Sequence, residues 1–287
     1  MIRTGWAWLL LVAVGCGQAG SEAAAPAPPT PATMPTGFDP ATAGTVRGRV
    51  TWVGDVPRVA PFEIATWADS SSPRPRLVRE NPHAPIVDTE TQGVAGAVVF
   101  LDNVDAQRAR PWDHAAVCVE FRNRRLLVLQ GGTPVPAGFV RLGDAITMVS
   151  REPEFNALHA SGAAFFSLAF PDADRPLTRV RKTRGHLELT STAGAYWMRG
   201  HLFVDDHPYY AQTDRQGHFD LRKVPPGRYR VVCWLPNWHV LGRDRDAESG
   251  LVTRLAFRPP LRLEQDVVLG AGGEAKIEFR IDQAMFP

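Results

Sequence analysis

Val204-Asp205-Asp206-His207-Pro208-Tyr209-Tyr210-Ala211-Gln212-Thr213-Asp214 is followed by Gly217-His218-Phe219-Asp220-Leu221 and by Val224-Pro225-Pro226-Gly227-Arg228-Tyr229. Val204 ends a strand, and His207-Pro208 forces a bend, because proline fixes φ and donates no hydrogen bond. Asp214 to Gly217 has the residue types of a hairpin turn, with the glycine free to take positive φ. Phe219 and Leu221 alternate with polar neighbours, as on a half-buried strand. Pro225-Pro226-Gly227 makes a second turn, after which Tyr229, Val231 and Cys233 repeat with period two. The pattern is that of an antiparallel β-sandwich, and it carries no catalytic constellation.

The same signals extend in both directions. Thr45 to Trp52 alternates and stops at Gly54-Asp55. Residues 57–85 are rich in proline and serine and read as a surface loop. Gly93 to Leu101 is an apolar strand. Ala115–Phe121 and Arg125–Gln130 are strands joined at Arg122-Asn123-Arg124. Gly138 to Ser150 holds two short strands around Gly143-Asp144. Further strands fall in 163–170, 186–190, 255–257, 261–269 and 274–281. Many short strands at this spacing indicate sandwiches rather than a parallel α/β sheet.

The N-terminus reads as a targeting segment. Arg3 is its positive charge, and Trp6 to Val14 is too short an apolar run to span a bilayer as a helix. It ends at Ala13-Val14-Gly15-Cys16, which resembles a bacterial lipobox, so residues 1–16 are expected to be a signal peptide and Cys16 the site of lipidation. An ordinary secretory signal is the other reading. A lipid on Cys16 makes the protein peripheral to the membrane. Residues 17–44, rich in Ala, Pro, Ser and Thr, bury too little to offset chain entropy and read as a disordered tether. The 287 residues carry 32 basic and 30 acidic side chains, a net charge of +2, which argues against nucleic acid as a partner. Arg179, Arg181, Lys182 and Arg184 form a basic cluster that reads as a solvated loop. Cys118 and Cys233 lie in apparent strands and read as buried free thiols, with a disulfide as the alternative.

No H-E-x-x-H, G-x-S-x-G or phosphate-binding glycine loop occurs, so no enzyme is expected. His201, Asp205 and His207 share odd numbering and, on one strand, would share a face able to hold zinc or copper. A hydrogen-bonded turn at Asp205 to Pro208 is the competing reading. Trp197, Tyr209 and Tyr210 belong to an aromatic-rich stretch that offers rings for stacking on sugars, or else fills a core. If Tyr209 and Tyr210 both lie on a strand, one points outward.

The run Thr213-Asp214, Gly217-His218-Phe219 and Val224 to Tyr229 is similar to the carboxypeptidase regulatory-like domain, a transthyretin-like sandwich. Val46-Arg-Gly-Arg-Val50 and Gly93 to Leu101 look like the opening of that domain. Gly138 to Gly200 resembles the cupredoxin-like region of methylamine-utilisation-type envelope proteins of planctomycete-like bacteria. The resemblance implies an all-β fold of two Greek-key-type sandwiches: a cupredoxin-like one over 45–198 and a regulatory-like one over 199–287. It also implies that a contact from the Arg108–His114 loop would fit a discontinuous domain whose halves bracket the cupredoxin-like part. A blue-copper site needs two imidazoles, a thiolate and a thioether. Met198 matches the thioether position, whereas the histidine and cysteine positions fall on Ala195 and Thr192. The family's first histidine segment puts Phe155 at the ligand position and His159 one residue out of place. The expected function is therefore a non-catalytic envelope lipoprotein that binds a protein or polysaccharide and holds no cofactor. The alternative is a copper or zinc protein using His159, Met198, His201 and His207.

Overall fold

Alternation in the first strand sets the pattern for the rest. β1 (Gly44–Val53) buries Val46, Val50 and Trp52 on one face and turns Arg47 and Arg49 to the other. The computed structural model describes residues 37–65, 76–79, 81–245, 247, 248, 250 and 252–286. The lipidation expected at Cys16, and the tether except for its last residues, lie outside the described residues. Phe62–Ala65 (β2) and Arg76–Arg79 (β3) pair as a hairpin where the sequence predicts only loop. Ile86–Val87 (β4) and Val94–Ala95 (β5) pair around a turn, and Val98–Asp102 (β6) follows.

The middle of the chain holds Val117–Arg122 (β7), Arg125–Gln130 (β8), Thr133–Val135 (β9), Gly138–Arg141 (β10) and Ala145–Ser150 (β11). Asn156–Gly162 (β12), Phe166–Phe170 (β13), Leu177–Val180 (β14), Gly185–Ser191 (β15) and Arg199–Asp205 (β16) complete it. Asn123 and Arg124 join β7 to β8 with φ of 53° and 55°, the two left-handed residues of a tight turn whose twist matches its strands. The last part holds Tyr210–Gln212 (β17), His218–Val224 (β18), Gly227–Leu235 (β19), Val240–Arg245 (β20), Val252–Phe257 (β21), Leu261–Leu269 (β22) and Glu274–Asp282 (β23). The regular structure is nearly all strand, with a single 3-10 turn at Gln283–Met285 among the described residues. The fold class is all-β, as the alternation implies.

Two sheets face each other in the first sandwich, β18-β1-β23 and β17-β6-β19-β22. β1 runs antiparallel to β18 and parallel to β23. Glycine at 48 permits this: a Cβ there would lie 1.9 Å from the Ile277 carbonyl oxygen and 2.7 Å from the Phe219 ring. Val46, Val50, Leu101, Tyr209, Val231 and Phe279 fill the core. The turns at Asp214–Gly217 and Pro225–Gly227 close no hairpin within a sheet. Each carries the chain across the sandwich, from β17 to β18 and from β18 to β19. Asp214 closes the first of them by accepting from the Gly217 and His218 amides.

The second sandwich sets β10-β16-β15-β12-β13 against β14-β11-β7-β8-β9 around Phe121, Ile146, Met148, Leu158, Phe170 and Leu189. Its strands run without interruption from Val117 to Asp205. The expected division into 45–198 and 199–287 does not follow these cores. β1 and β6 pack with β17–β19, β22 and β23, while β16 belongs to the second sandwich. The first sandwich is discontinuous and brackets the second. The chain passes between them through 103–116 and through 206–209. These connections touch: the Arg110 amide donates to the Tyr209 hydroxyl at 2.9 Å, and His114 Nε2 lies 2.8 Å from the Pro208 carbonyl.

Candidate functional site

β6 and β19 are apolar on both faces. Val99, Leu101, Val231 and Cys233 enter the first core, while Val98, Phe100, Val232 and Trp234 point out of it. Phe139 of β10 and Phe203 of β16 meet them from the outer face of the second sandwich. Phe100 stacks on Tyr210 with ring centres 5.0 Å apart, and Phe203 meets Trp234 edge-on at 5.1 Å. This seam explains the unbroken apolar runs of the sequence, which are those of strands buried on both faces.

A polar cluster continues the seam. Pairing of β15 with β16 sets His186 opposite Phe203, Glu188 opposite His201 and Thr190 opposite Arg199, all on one face. His186 Nε2 and His201 Nδ1 lie 3.1 Å apart, so one ring donates to the other. Trp234 packs on both rings at 4.9 Å. Arg199 has a side chain only 3% exposed. It donates to Glu188 Oε2 at 2.6 Å and to the Asn237 carbonyl at 2.9 Å, and its guanidinium lies 4.2 Å from the Phe257 ring centre. His83 bonds the Trp197 carbonyl oxygen at 3.1 Å and meets Phe257 edge-on. Burial first, and then the Arg199 charge, lower His83 to about 3 and His186 to about 4. The same causes hold His201 well below the ordinary imidazole value.

Near the 206–209 connection, Asp205 Oδ2 accepts from the Tyr210 hydroxyl at 2.6 Å and lies 3.3 Å from His207 Nε2. The Tyr209 amide donates to His207 Nδ1 at 3.4 Å, which leaves the ring proton on Nε2. Burial lowers His207 to about 4. Arg184 pairs with Asp206. Asp205 to Pro208 is thus the hydrogen-bonded turn.

The expected metal set is not brought together. His159 lies on the outer face of β12 and bonds Ser167 Oγ at 3.1 Å. Met198 fills the apolar core of the second sandwich beside Ala195. His201 is bonded to His186, and His207 to Asp205. The bend at Asp206-His207 breaks the odd-number alternation on which the shared face depended. Among the described residues, no group of three or more His, Cys, Asp or Glu side chains is placed to hold a metal ion.

The sugar-stacking residues are also corrected. Trp197, Tyr209 and Tyr210 are 3%, 0% and 7% exposed. Neither adjacent tyrosine points outward, because Tyr209 enters the first core and Tyr210 enters the seam. The Tyr209 hydroxyl donates to the Lys223 carbonyl at 2.8 Å, and Trp197 Nε1 donates to the Arg124 carbonyl at 3.1 Å. Within the basic cluster, Arg181 is buried with its guanidinium 4.6 Å from the Phe166 ring centre. Cys118 and Cys233 are both free.

A second candidate lies on the outer face of β18-β1-β23. Register places Asp220, Arg47 and Lys276 in one row and His218, Arg49 and Glu278 in the next. With Gln212, Asp214 and Arg222 they line an open cleft of about 670 Å³. Arg222 holds Asp220 at 2.6 Å, His218 lies 3.6 Å from Asp214, and Arg47 reaches Glu274 at 3.5 Å. Arg49 is fixed by the Gln216 and Thr91 carbonyl oxygens at 2.9 Å and 2.5 Å. The side chains of Lys276 and Glu278 have no partner among the described residues. The cleft therefore presents one free cation and one free anion beside several held ones, which suits polar recognition. Alternation on β1 and β23 puts these charges on outer faces. Nothing local in the sequence says that the two strands are neighbours.

No family model matches the chain, and no curated protein matches it. Among solved structures the chain is similar to amicyanin, a cupredoxin, over about a third of its length. The reduced state of one amicyanin mutant is 19% identical with a TM-score of 0.25, covering 31% of this chain and 81% of that one. An oxidised mutant is 22% identical with a TM-score of 0.25, covering 31% and 82%. Another oxidised mutant is 15% identical with a TM-score of 0.24, covering 37% and 97%.

Proposed function

We propose that this chain is a non-catalytic scaffold of the cell envelope, held at a membrane by a lipid on Cys16, that binds a protein partner in the cleft over β18-β1-β23. In this reading the outer sandwich is carboxypeptidase regulatory-like. The inner one is cupredoxin-like with its copper donors lost, and Thr192, Ala195 and Met198 at the expected ligand positions support that view. The observation that carries the proposal is that exposed Lys276 and Glu278, without side-chain partners among the described residues, line a cleft of about 670 Å³ whose other charges are already held. Preorganised charges of both signs favour a partner surface of complementary pattern and select against wrong ones. A polysaccharide is the weaker fit. The aromatic residue in the cleft lining, Phe219, is buried, and sugar rings bind best on an open aromatic face.

The test is a photo-crosslinking amino acid at position 276 of the full chain in its native cells, with one at exposed position 178 as control. A discrete protein adduct from 276 alone is expected, and Arg47→Glu is expected to weaken it roughly ten-fold by placing a like charge in the docking surface. No adduct, or the same adduct from both positions, refutes the proposal. Retention on envelope polysaccharide that Arg47→Glu abolishes, with no protein adduct, replaces the protein by a glycan.

A further inference from the structure

We infer that the seam between the sandwiches is an acid-sensitive clasp, shut while His83, His186 and His201 are neutral and released along the β15–β16 flank when they take up protons. The inference rests on what faces these rings. β16 contributes Arg199, and β15 contributes Glu188, already bound to Arg199. β19 contributes Trp234, the segment after it the Asn237 carbonyl, and β21 the Phe257 ring. Glu188 is the carboxylate in that company, and it is engaged. One proton can be shared across the His186–His201 bond. A second cannot, because both nitrogens would then donate, and two imidazolium rings would sit beside a buried guanidinium under Trp234. Burial and Arg199 already oppose the first proton.

The rest of the seam also resists protons, since burial lowers His207 to about 4 as it does His186, but its rings have acceptors to meet a charge. His207 faces Asp205 at 3.3 Å, with Asp206, Arg184 and Asp102 around it. His114 bonds the Pro208 carbonyl, with Asp113 and Arg110 beside it. A charged His207 finds a carboxylate, and a charged His114 keeps its carbonyl acceptor. Both covalent connections between the sandwiches, 103–116 and 206–209, run here. The His114–His207 region is therefore the hinge, and the His186–His201 region is the edge that opens. Release exposes Trp234 and Phe203 while leaving both sandwich cores intact.

Hydroxyl-radical footprinting of the full chain from pH 7.5 to pH 4, with far-ultraviolet circular dichroism on the same samples, tests this. Trp234 labelling is expected to rise roughly five-fold or more and to reverse on neutralisation, because released imidazoles take up protons near their ordinary value of about 6.5 whereas the enclosed ones resist them. Phe121 and Phe279, deep in the two cores, stay protected and the strand signal is unchanged. The pair His186→Gln and His201→Gln keeps amide donors and acceptors but cannot titrate. Its transition is expected at least about half a pH unit lower. If that pair does not fold at pH 7.5, His83→Gln reads the same shift alone. Protection of Trp234 down to pH 4 overturns the inference. So does labelling of Phe121 and Phe279 in the same step, or an unchanged midpoint in the variants.

Discussion

Replacing Arg199 by methionine removes a buried cation while keeping most of the stem that packs against the seam. Three interactions go with it. Glu188 loses a partner at 2.6 Å, but its side chain is 26% exposed and rehydrates in part, so the loss is about 1 kcal/mol rather than the several expected of a sealed pair. The Asn237 carbonyl loses a charged donor at 2.9 Å, about 1 kcal/mol. The guanidinium 4.2 Å from the Phe257 ring centre adds about 1 kcal/mol. Together Arg199→Met destabilises by about 3 kcal/mol, read as a urea midpoint lowered by about 1 M at pH 7.5. A double-mutant cycle with Glu188→Gln should return a coupling of about 1 kcal/mol. The substitution also removes a charge that helps hold His83, His186 and His201 below the ordinary imidazole value, so folded and unfolded proton affinities draw closer and the stability lost between pH 7.5 and pH 5 should shrink. A midpoint unchanged within error, or a coupling of zero with Glu188, would refute the burial argument for this cluster.

Gly48→Ala forces a methyl against the Ile277 carbonyl at 1.9 Å; a loss of about 3 kcal/mol or more is expected by thermal melting, and a wild-type Tm would mean β1 and β23 are not neighbours. Tyr209→Phe deletes a hydroxyl that bonds both the Arg110 amide and the Lys223 carbonyl, with about 2 kcal/mol lost; the pairing is wrong if urea unfolding is unaffected. His83, His186 and His207 bind protons less readily folded, at about 3, 4 and 4, than at the ordinary 6.5 of an unfolded chain. Between those values the unfolded chain holds more protons, so stability is full above about pH 6.5 and falls as the pH drops toward 4. Each ring contributes a loss of about 2 kcal/mol by pH 5, and a urea midpoint equal at pH 7.5 and pH 5 would contradict it.

The strand class was legible because side-chain alternation is local: Val46, Val50 and Trp52, or Phe219 and Leu221, announce a buried face from a few residues. The apolar runs at Val98–Leu101 and Val231–Leu235 are buried on both faces, whereas the alternation of Tyr229, Val231 and Cys233 pointed to one, and nothing local shows what covers the second. That cover comes from β10 and β16, more than twenty residues away in the chain, so no short window contains it. His186 and Glu188 alternate with Leu187 and Leu189 as an outward row should, and outward there means toward the first sandwich rather than water. The same missing information left the tyrosines open between core and surface: Tyr209 precedes β17 and enters the first core, while Tyr210 begins β17 and enters the seam. The boundary near residue 198 failed for a related reason. It assumed that neighbours in sequence share a core, and β1 pairs instead with β23, more than two hundred residues later. The cleft depends on that pairing and was invisible with it.

The parallel pairing of β1 with β23 fixes an order of events during synthesis. The inner sandwich has all its strands once Asp205 has left the ribosome, and its contacts are mostly shorter in range. β1 by then has been waiting since the start, and it gains its full set of neighbours only when Glu274–Asp282 emerges. Until that moment β1 has β18 on one side at most and its other edge is open, the kind of unpaired strand edge that makes a partly folded chain prone to aggregate. A nascent chain arrested before Glu274 should therefore display a finished inner module carrying sticky, unfinished flanks.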